Sequence, residues 1–279
     1  MNARKLIFIL IGIICVISIV FVIYSELYYA EPRNNFSQNI THSDTNSNKV
    51  NEQDLINNFS SIFDNTINYQ NNDISKISKK DFNKDLVYTS YEITEQIPNK
   101  YTINAKIPAI NLNNSTISSI NNDIDSKFKN QISTIIASSN NSDNQLYDVE
   151  YMAYINSNIL SLVIKATLKS GNSAQRVLIK TYNYNLSTNE ILELNEVLSL
   201  KGISKTYATK KIKETVNKSN IASQSLKDLG YSVFTRDLNS DIYKIENTST
   251  FFLGENGTLY VLYPYGNNNM TSEVDIIIF

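Results

Sequence analysis

The chain begins with an uninterrupted apolar run from Leu6 to Tyr24, preceded by Arg4 and Lys5 and followed by a long polar stretch. As a helix, these 19 residues extend about 28 Å, close to the thickness of the hydrocarbon core of a bilayer. No basic cluster follows the run closely. This asymmetry predicts a transmembrane helix over residues 6–24, a cytoplasmic tail of residues 1–5 and an extracytoplasmic remainder.

A secretory signal peptide is the alternative, because it also places an apolar segment after basic residues. Cleavage needs small residues in an A-x-A-like arrangement, but Ser25–Ala30 reads SELYYA, with Tyr28 where a small residue is expected. We therefore expect a retained single-pass anchor in the cell membrane. Cys15 follows Ile14 rather than a small residue, so we interpret it as an apolar helix residue and not as a lipidation site.

Residues 25–85 are predicted to form an extracytoplasmic stalk. From Glu31 to Lys49 the chain has hardly a large apolar residue, a composition that cannot repay the entropy of ordering. Further along the stalk, apolar residues recur at helical spacing, namely Leu55, Phe59, Ile62, Phe63 and Ile67. This pattern predicts a short helix over residues 54–69, which either interrupts the stalk or docks on the folded domain.

From Leu86 onward, alternating apolar and polar positions predict a folded domain. The predicted strands are Leu86–Thr94, Tyr101–Ile107, Leu146–Ile155, Ile159–Lys169, Arg176–Leu186, Thr250–Leu253, Thr258–Tyr263 and Val274–Phe279. The predicted helices run from the cap residues Asn114 and Ser115 to Ile136, and from Ile203 to Val216. This order is typical of an α+β fold, with an antiparallel sheet and helices packed on one side.

The strand Ile159–Lys169 alternates most cleanly. Its apolar side carries Leu160, Leu162, Ile164, Ala166 and Leu168, and its other side carries Ser161, Lys165, Thr167 and Lys169. In an antiparallel sheet, this pattern predicts one buried face and one face in contact with water.

Composition excludes several kinds of chemistry. The only histidine, His42, lies in the predicted stalk, and the only cysteine, Cys15, lies in the predicted anchor. Ser-His-Asp and Cys-His hydrolases and most zinc enzymes need such residues in the folded domain. Neither a G-x-G-x-x-G nor a P-loop motif occurs, and a net charge of -2 provides no basic surface for nucleic acid. We expect no cofactor, no metal site and no nucleic-acid partner.

Glycoside hydrolysis is compatible with this composition, because it can proceed with two carboxylates alone. Asp148 and Glu150 share one side of a predicted strand, and Glu92 lies on another strand that can approach them. The simpler interpretation is that these are solvated strand residues. A non-catalytic module is therefore the preferred hypothesis, and a carboxylate-dependent glycan-processing enzyme is the alternative.

Two segments of the C-terminal half resemble the DUF3298 family. Tyr182–Leu198, with the sequence YNYNLSTNEILELNEVL, is similar to its strand, turn and "l-L-x-D-l-F" pattern, with Asn195 at the usually acidic position. Phe251–Tyr265, with the sequence FFLGENGTLYVLYPY, resembles the closing hairpin of that family. The region from Tyr88 to Leu168 is similar to the DUF4163 family, called the deacetylase PdaC-like domain.

The resemblance divides the ectodomain into a DUF4163-like region over residues 86–170 and a DUF3298-like region over residues 171–279. It implies an extracytoplasmic module like those of a lysozyme-sensing anti-sigma factor and a peptidoglycan deacetylase of Gram-positive bacteria. The catalytic deacetylase domain, with its Asp and His metal ligands, has no counterpart in this sequence. Residues 1–5 are too few to hold a sigma factor.

The chain has 18 Tyr and no Trp. Five of these tyrosines are the candidate binding residues. The candidates are Tyr147 and Tyr151 on one strand side, and Tyr260, Tyr263 and Tyr265 in or after the closing hairpin. A flat ring with a polar tip suits stacking on sugars or anchoring a protein partner. The competing interpretation is that tyrosine is simply favoured in strands.

These observations predict a single-pass membrane protein whose ectodomain binds a cell-envelope ligand. The resemblance implies peptidoglycan or a secreted lysozyme-like protein as that ligand. A structural partner of another membrane protein is a further alternative.

Overall fold

The computed structural model describes residues 51–138, 144–231, 233–267 and 270–279; for residues 265–267 and 270–272 it describes the backbone only. The predicted anchor over residues 6–24 and the first part of the predicted stalk lie outside these described residues. Among the helices of the described part, none is both long enough and apolar enough to cross a membrane.

The described residues form five α-helices and ten strands. The helices are α1 (Glu52–Asn57), α2 (Ser115–Ile124), α3 (Asn130–Ser138), α4 (Leu194–Leu200) and α5 (Lys205–Asp228), with a π-helical turn at Asp125–Lys129 joining α2 to α3. The strands are β1 (Ile67–Asn68), β2 (Val87–Ile97), β3 (Tyr101–Ile110), β4 (Gln145–Asn156), β5 (Ile159–Ser170), β6 (Arg176–Asn185), β7 (Glu190–Ile191), β8 (Phe251–Leu253), β9 (Leu259–Asn267) and β10 (Met270–Ile278). The predicted α+β class is confirmed.

Sheet I has the strand order β2-β3-β4-β5-β6-β7. Along one edge of β4, β3 pairs with the first half of the strand and β1 pairs with the second half. Its neighbours are antiparallel except at β3–β4 and β1–β4, which are parallel. The parallel pair at β3–β4 follows from the connection, because the helical crossover through α2 and α3 returns the chain in its original direction. The sheet is therefore mixed rather than wholly antiparallel.

Sheet II is the antiparallel sheet β8-β9-β10, and it packs on one face of sheet I. Three buried clusters separate four layers in the order α2–α3, sheet I, sheet II, α4–α5. Ile117, Ile124 and Phe128 lie in the first cluster, Phe252 and Tyr260 in the middle one, and Ile212 and Val216 in the third. Helices pack on one side of each sheet, in agreement with the predicted helices on one side, but the prediction of one sheet is wrong because the strands divide between two.

The second face of sheet I differs from the sequence prediction at one end. Ser161 was predicted to face water, but it is fully buried, as is Val163 beside it. The prediction is wrong there because sheet II covers that end of the face, a contact that strand alternation does not reveal. Lys169, at the far end of β5, is exposed as predicted.

Residues before Leu86 also pack on the domain. Phe59 and Phe63, in and after the turn that follows α1, are buried against the middle cluster. Their rings meet edge to face, with centroids 5.5 Å apart. Asn65 then exchanges hydrogen bonds with the backbone of Tyr151, and β1 extends sheet I. The helix predicted over residues 54–69 is wrong beyond Asn57, because a 3-10 turn at Phe59–Ser61 and strand β1 follow α1. The segment docks on the domain, which is one of the two alternatives for it.

Candidate functional site

The half of the sheet I face that sheet II leaves open carries polar side chains in cross-strand rows. We call this surface the polar face, formed by Glu92, Thr94, Asn104, Lys106, Asp148, Glu150, Lys165 and Thr167. These residues share one side because the side chains of a strand alternate between the two sides of its sheet. The opposite sides of the same strands supply the core beneath α2 and α3.

The first row contains two cross-strand pairs, Glu92 with Lys106 on β2 and β3, and Glu150 with Lys165 on β4 and β5. The two pairs adjoin, because Lys106 and Glu150 directly follow Ala105 and Val149, the last partners of β3 and β4. The charges alternate in sign along the row. Lys106 Nζ lies 3.5 Å from Glu92 Oε1 and Lys165 Nζ lies 2.8 Å from Glu150 Oε2. Directly opposite charges of unlike sign stabilise a strand pair by a few tenths of a kcal/mol, up to about 1 kcal/mol. The row therefore holds its long side chains in defined positions and has almost no net charge.

The second row is neutral on two strands and acidic on the third. Thr94 Oγ1 donates to Asn104 Oδ1 at 3.2 Å, and Asn104 Nδ2 donates to Asp148 Oδ1 at 2.8 Å. Burial raises the pKa of the Asp148 carboxyl above its ordinary value, and the negative charge of Glu150 adds to the shift. Two neighbouring carboxylates thus have different surroundings, since Glu150 is paired with Lys165.

A groove of about 300 Å³, lined by both polar and apolar side chains, adjoins the polar face. Lys165 and Thr167 belong to both surfaces, and the groove continues between α1 and the two sheets along Ile56, Phe59, Val177, Ile179, Val274 and Ile276. Lys165 Nζ also lies 4.5 Å from the centroid of the Phe63 ring, within range of a cation–π interaction. The polar rows and this groove of mixed lining can together bind a ligand that has both hydroxyl or amide groups and apolar surface.

The three carboxylates singled out from the sequence do come together on one face. Asp148 and Glu150 are neighbours on β4, and Glu92 lies in the row of Glu150. Lys106 stands between Glu92 and Glu150, so those two positions are two strand spacings apart, about 10 Å. Among the described residues, no group of three His, Cys, Asp or Glu side chains is placed to hold a metal ion.

The tyrosines proposed as binding residues are not brought together. Tyr147 and Tyr151 are buried beneath α2 and α3, where the Tyr147 hydroxyl donates to Phe128 O at 3.1 Å. The Tyr151 hydroxyl bonds Thr89 Oγ1 at 2.9 Å. Burial raises the pKa of both phenols. Their hydroxyls have partners inside the fold. This agrees with the competing interpretation, in which these tyrosines are strand residues and not ligand contacts.

The closing-hairpin tyrosines lie in two further clusters. Tyr260 is buried between the sheets and stacks on Phe252, with ring centroids 4.6 Å apart. Tyr263 is buried beneath α5, where its hydroxyl bonds Thr248 Oγ1 at 2.9 Å and burial raises its pKa to about 12. For Tyr265, in β9, the backbone pairs with Glu273 and the side chain is outside the described part.

Sequence reasoning did not single out Asn104, Lys106 and Lys165 as site residues. The signal for them existed in part, because the alternation of β2, β3 and β5 assigns each of these residues to the side away from the apolar core. Their neighbourhood depends on the parallel register of β3 with β4, in which Ala105 is opposite Val149. That register is set by the helical crossover and is not visible in the strand patterns.

No family model matches the chain, and no curated protein matches it. Two similar solved structures are DUF3298 family proteins. One, from Pseudomonas aeruginosa PAO1, is 9% identical with a TM-score of 0.38, over 65% of this chain and 82% of that chain. The other, from Bacteroides fragilis, is 14% identical with a TM-score of 0.33, over 64% of this chain and 80% of that chain. Neither of these two proteins is described as a DUF4163 protein.

Proposed function

We propose that the protein is a membrane-anchored, extracytoplasmic, non-catalytic module whose polar face binds a cell-envelope ligand, namely peptidoglycan. The observation that supports this proposal most directly is the polar face itself. Its donors and acceptors lie in rows across four strands and are held in place by their neighbours. Such preorganisation lowers the entropy that binding costs.

The charge pattern favours a glycan over a basic protein. In the row Glu92, Lys106, Glu150 and Lys165 the signs alternate, so the surface offers little net attraction for a strongly cationic partner such as lysozyme. Sugar hydroxyls and amides, in contrast, bond to carboxylates, ammonium groups and amides alike. The adjoining groove provides apolar surface for the ring faces or methyl groups of a glycan strand.

The binding test uses the full chain in detergent with purified peptidoglycan sacculi, and with lysozyme in parallel. We expect co-sedimentation with sacculi, and loss of most of it in the double variant Asn104→Leu with Lys106→Glu. The matched control is Asn122→Leu with Lys213→Glu, which changes the same residue types on exposed helix sides. Retention of lysozyme but not sacculi would replace peptidoglycan by a protein ligand, and retention of neither would reject the binding function.

Localisation has a separate test. The proposed topology places everything after residue 24 outside the cell, so protease added to intact protoplasts should degrade the ectodomain. A full-length chain that stays protected in the soluble cytosolic fraction would contradict the proposed anchor.

A second candidate is a glycan-processing enzyme that uses a carboxylate pair. It is favoured by one observation, the raised pKa of Asp148 beside an ion-paired Glu150. Two neighbouring carboxyl groups in different surroundings are typical of an acid and a base that work together. The test is the release of reducing ends from peptidoglycan by the unmodified chain and by Asp148→Asn and Glu150→Gln. Absence of activity in the unmodified chain rejects this candidate.

A further inference from the structure

The long helix α5 has two halves with different surroundings. Its 24 residues extend about 36 Å. Ala208, Ile212 and Val216 in the first half are buried against sheet II, and beyond Val216 no residue of the helix is fully buried. The second half of the helix is therefore less deeply packed than the first.

The end of α5 gathers large apolar side chains that face solvent. We call them the distal patch: Ile221 at 65% exposure, Leu226 at 49%, Leu229 at 74% and Tyr231 at 64%. At 100° per residue, the three helical side chains span about 140° around the axis. Exposed apolar residues clustered in this way mark an interaction site more often than residues scattered singly.

A specific helix ending positions the patch. Gly230 has φ +87°, a conformation that favours glycine. Its N–H donates to Lys227 O at 2.9 Å, and Tyr231 N–H donates to Leu226 O at 3.1 Å. These are the two bonds of a Schellman motif. In this motif the side chains at the positions of Leu226 and Tyr231 are commonly in contact.

The distal half of α5 is braced from the side. Asn220 Nδ2 donates to Arg236 O at 2.8 Å, and Arg236 N donates to Asn220 Oδ1 at 3.0 Å. The Arg236 guanidinium is buried, 2.7 Å from Asp275 Oδ2 and 2.9 Å from Glu273 Oε2 of β10. It also donates to Ser223 Oγ at 3.2 Å. The patch is therefore presented on a rigid support and not on a frayed end.

Positive charge accompanies the patch. The sequence of α5 contains six lysines and two acids. Lys205 and Lys211 pair with Glu246 and Glu52, whereas Lys213, Lys218 and Lys227 have no salt bridge to another described residue. By the same spacing, Lys218 lies within the arc of the patch, Lys227 lies about 100° outside it, and Lys213 lies about two turns before Ile221. Lysine stems can lie along lipid while their ammonium groups reach anionic headgroups.

The chain leaves the described domain beside the same helix. The Glu52–Lys211 ion pair holds the start of α1 against α5. The proposed anchor and Asn51 are separated by 26 residues, and a fully extended chain of that length spans about 90 Å. The anchor therefore keeps the distal patch within reach of the bilayer. This step rests on the anchor of the proposed function.

We propose that the distal patch docks on the surface of an anionic lipid bilayer. Leu226, Leu229 and Ile221 enter the headgroup boundary, Tyr231 lies at the interface, and the lysines contact acidic headgroups. Docking orients the domain relative to the membrane and leaves the polar face, on the other sheet, available for its ligand.

The test exploits the absence of tryptophan from the chain. The full-length variant Leu229→Trp is combined with vesicles of phosphatidylglycerol and phosphatidylcholine, and with vesicles of phosphatidylcholine alone. We expect a blue-shifted emission of the introduced tryptophan that brominated lipids quench, at least about five-fold more strongly with the anionic vesicles. Adding Lys218→Gln and Lys227→Gln should abolish that preference. The matched control is Phe82→Trp, at a side chain that is 78% exposed elsewhere on the domain.

Three outcomes would overturn the proposal: no emission shift of the Leu229→Trp variant with anionic vesicles, equal shifts of this variant and the control variant, or a shift that follows protein concentration without lipid. The last would indicate self-association. Hydrogen exchange of residues 217–231 in the unmodified chain, with and without vesicles, gives the same decision if the variant folds poorly. Because the readout is local to α5, it is independent of binding to sacculi, which is measured in detergent.

Discussion

One face of sheet I carries two regions with polar side chains, of which one is buried and the other is exposed to solvent. In the covered half, Ser161, Thr181 and Asn183 lie beneath sheet II and are buried. In the open half, the polar face meets solvent. The two halves share β5, but the covered half also carries the apolar Met152, Val163 and Ile179 among its polar residues. Its strands are therefore apolar on both sides at these positions.

The polar residues of the covered half bind the backbone of an edge strand. Asn183 Nδ2 donates to Phe251 O at 2.7 Å, Leu253 N donates to Ser161 Oγ at 3.1 Å, and Phe251 N donates to Thr181 Oγ1 at 3.0 Å. These side chains satisfy backbone groups of β8, the edge of sheet II, that burial deprives of water. The polar residues here hold the two sheets in register.

The largest expected effect tests the seam between the sheets. Phe252 is fully buried and stacks on Tyr260 and Tyr154. We expect Phe252→Ala to lower the free energy of unfolding by about 3–5 kcal/mol, through lost burial and the cavity left behind. Urea denaturation measures the change. Phe82→Ala, at an exposed ring, should shift the same curve by less than about 0.5 kcal/mol, and equal effects would contradict the layered arrangement.

The next effect compares one asparagine from each half. Asn183→Ala removes bonds to Phe251 O and Ser161 Oγ and leaves buried groups without partners. It should cost about 1–3 kcal/mol of unfolding free energy. Asn104→Ala, in the open half, exposes its partners to water and should cost about 0.5 kcal/mol or less. A larger loss at Asn104 would show that the open half is also covered.

A smaller effect is expected for the ion pair at the border of the open half. Lys165→Met keeps an aliphatic stem over Phe63 and leaves the Glu150 carboxylate without its cation. Because both side chains retain contact with water, the loss should be below about 1 kcal/mol. It should also shrink in high salt, as measured by thermal unfolding at two ionic strengths. A loss that is large and independent of salt would indicate burial.

The smallest effect concerns pH. The pKa of Asp148 is raised in the fold, so the folded state binds its proton more readily than the unfolded chain, and this carboxyl destabilises the fold at neutral pH. That penalty disappears as pH falls through the raised pKa. Asp148→Asn should therefore be more stable than the unmodified chain at pH 7, within about 0.5 kcal/mol, and lose this advantage towards acid pH in paired melting curves. The opposite sign would contradict the assigned environment.

Local patterns predicted most elements of the fold. The strand predicted at Ile159–Lys169 is observed at Ile159–Ser170, and the strand predicted at Tyr101–Ile107 extends to Ile110. The helix predicted after Asn114 begins at Ser115, and the Asn114 side chain caps it by accepting from Ile117 N–H. These features depend on near neighbours along the chain, which is why the sequence reveals them.

The candidate site was predicted less completely. Alternation assigned Asp148 and Glu150 to one side, but it could not pair them with Asn104 and Lys165. Five tyrosines were predicted to contact a ligand. Four of them, Tyr147, Tyr151, Tyr260 and Tyr263, lie in the core. A tyrosine hydroxyl can find a partner inside a fold as easily as outside it, so residue type alone does not separate the two cases.

The sequence by itself determined which residues alternate and where helices begin. Only the tertiary structure decided which half of a polar sheet face is covered. The covering bonds join residues far apart in the chain, Ser161 to Leu253 across 92 positions and Asn183 to Phe251 across 68. Burial of a strand side depends on what packs against it, and that partner is chosen by the whole fold rather than by the strand.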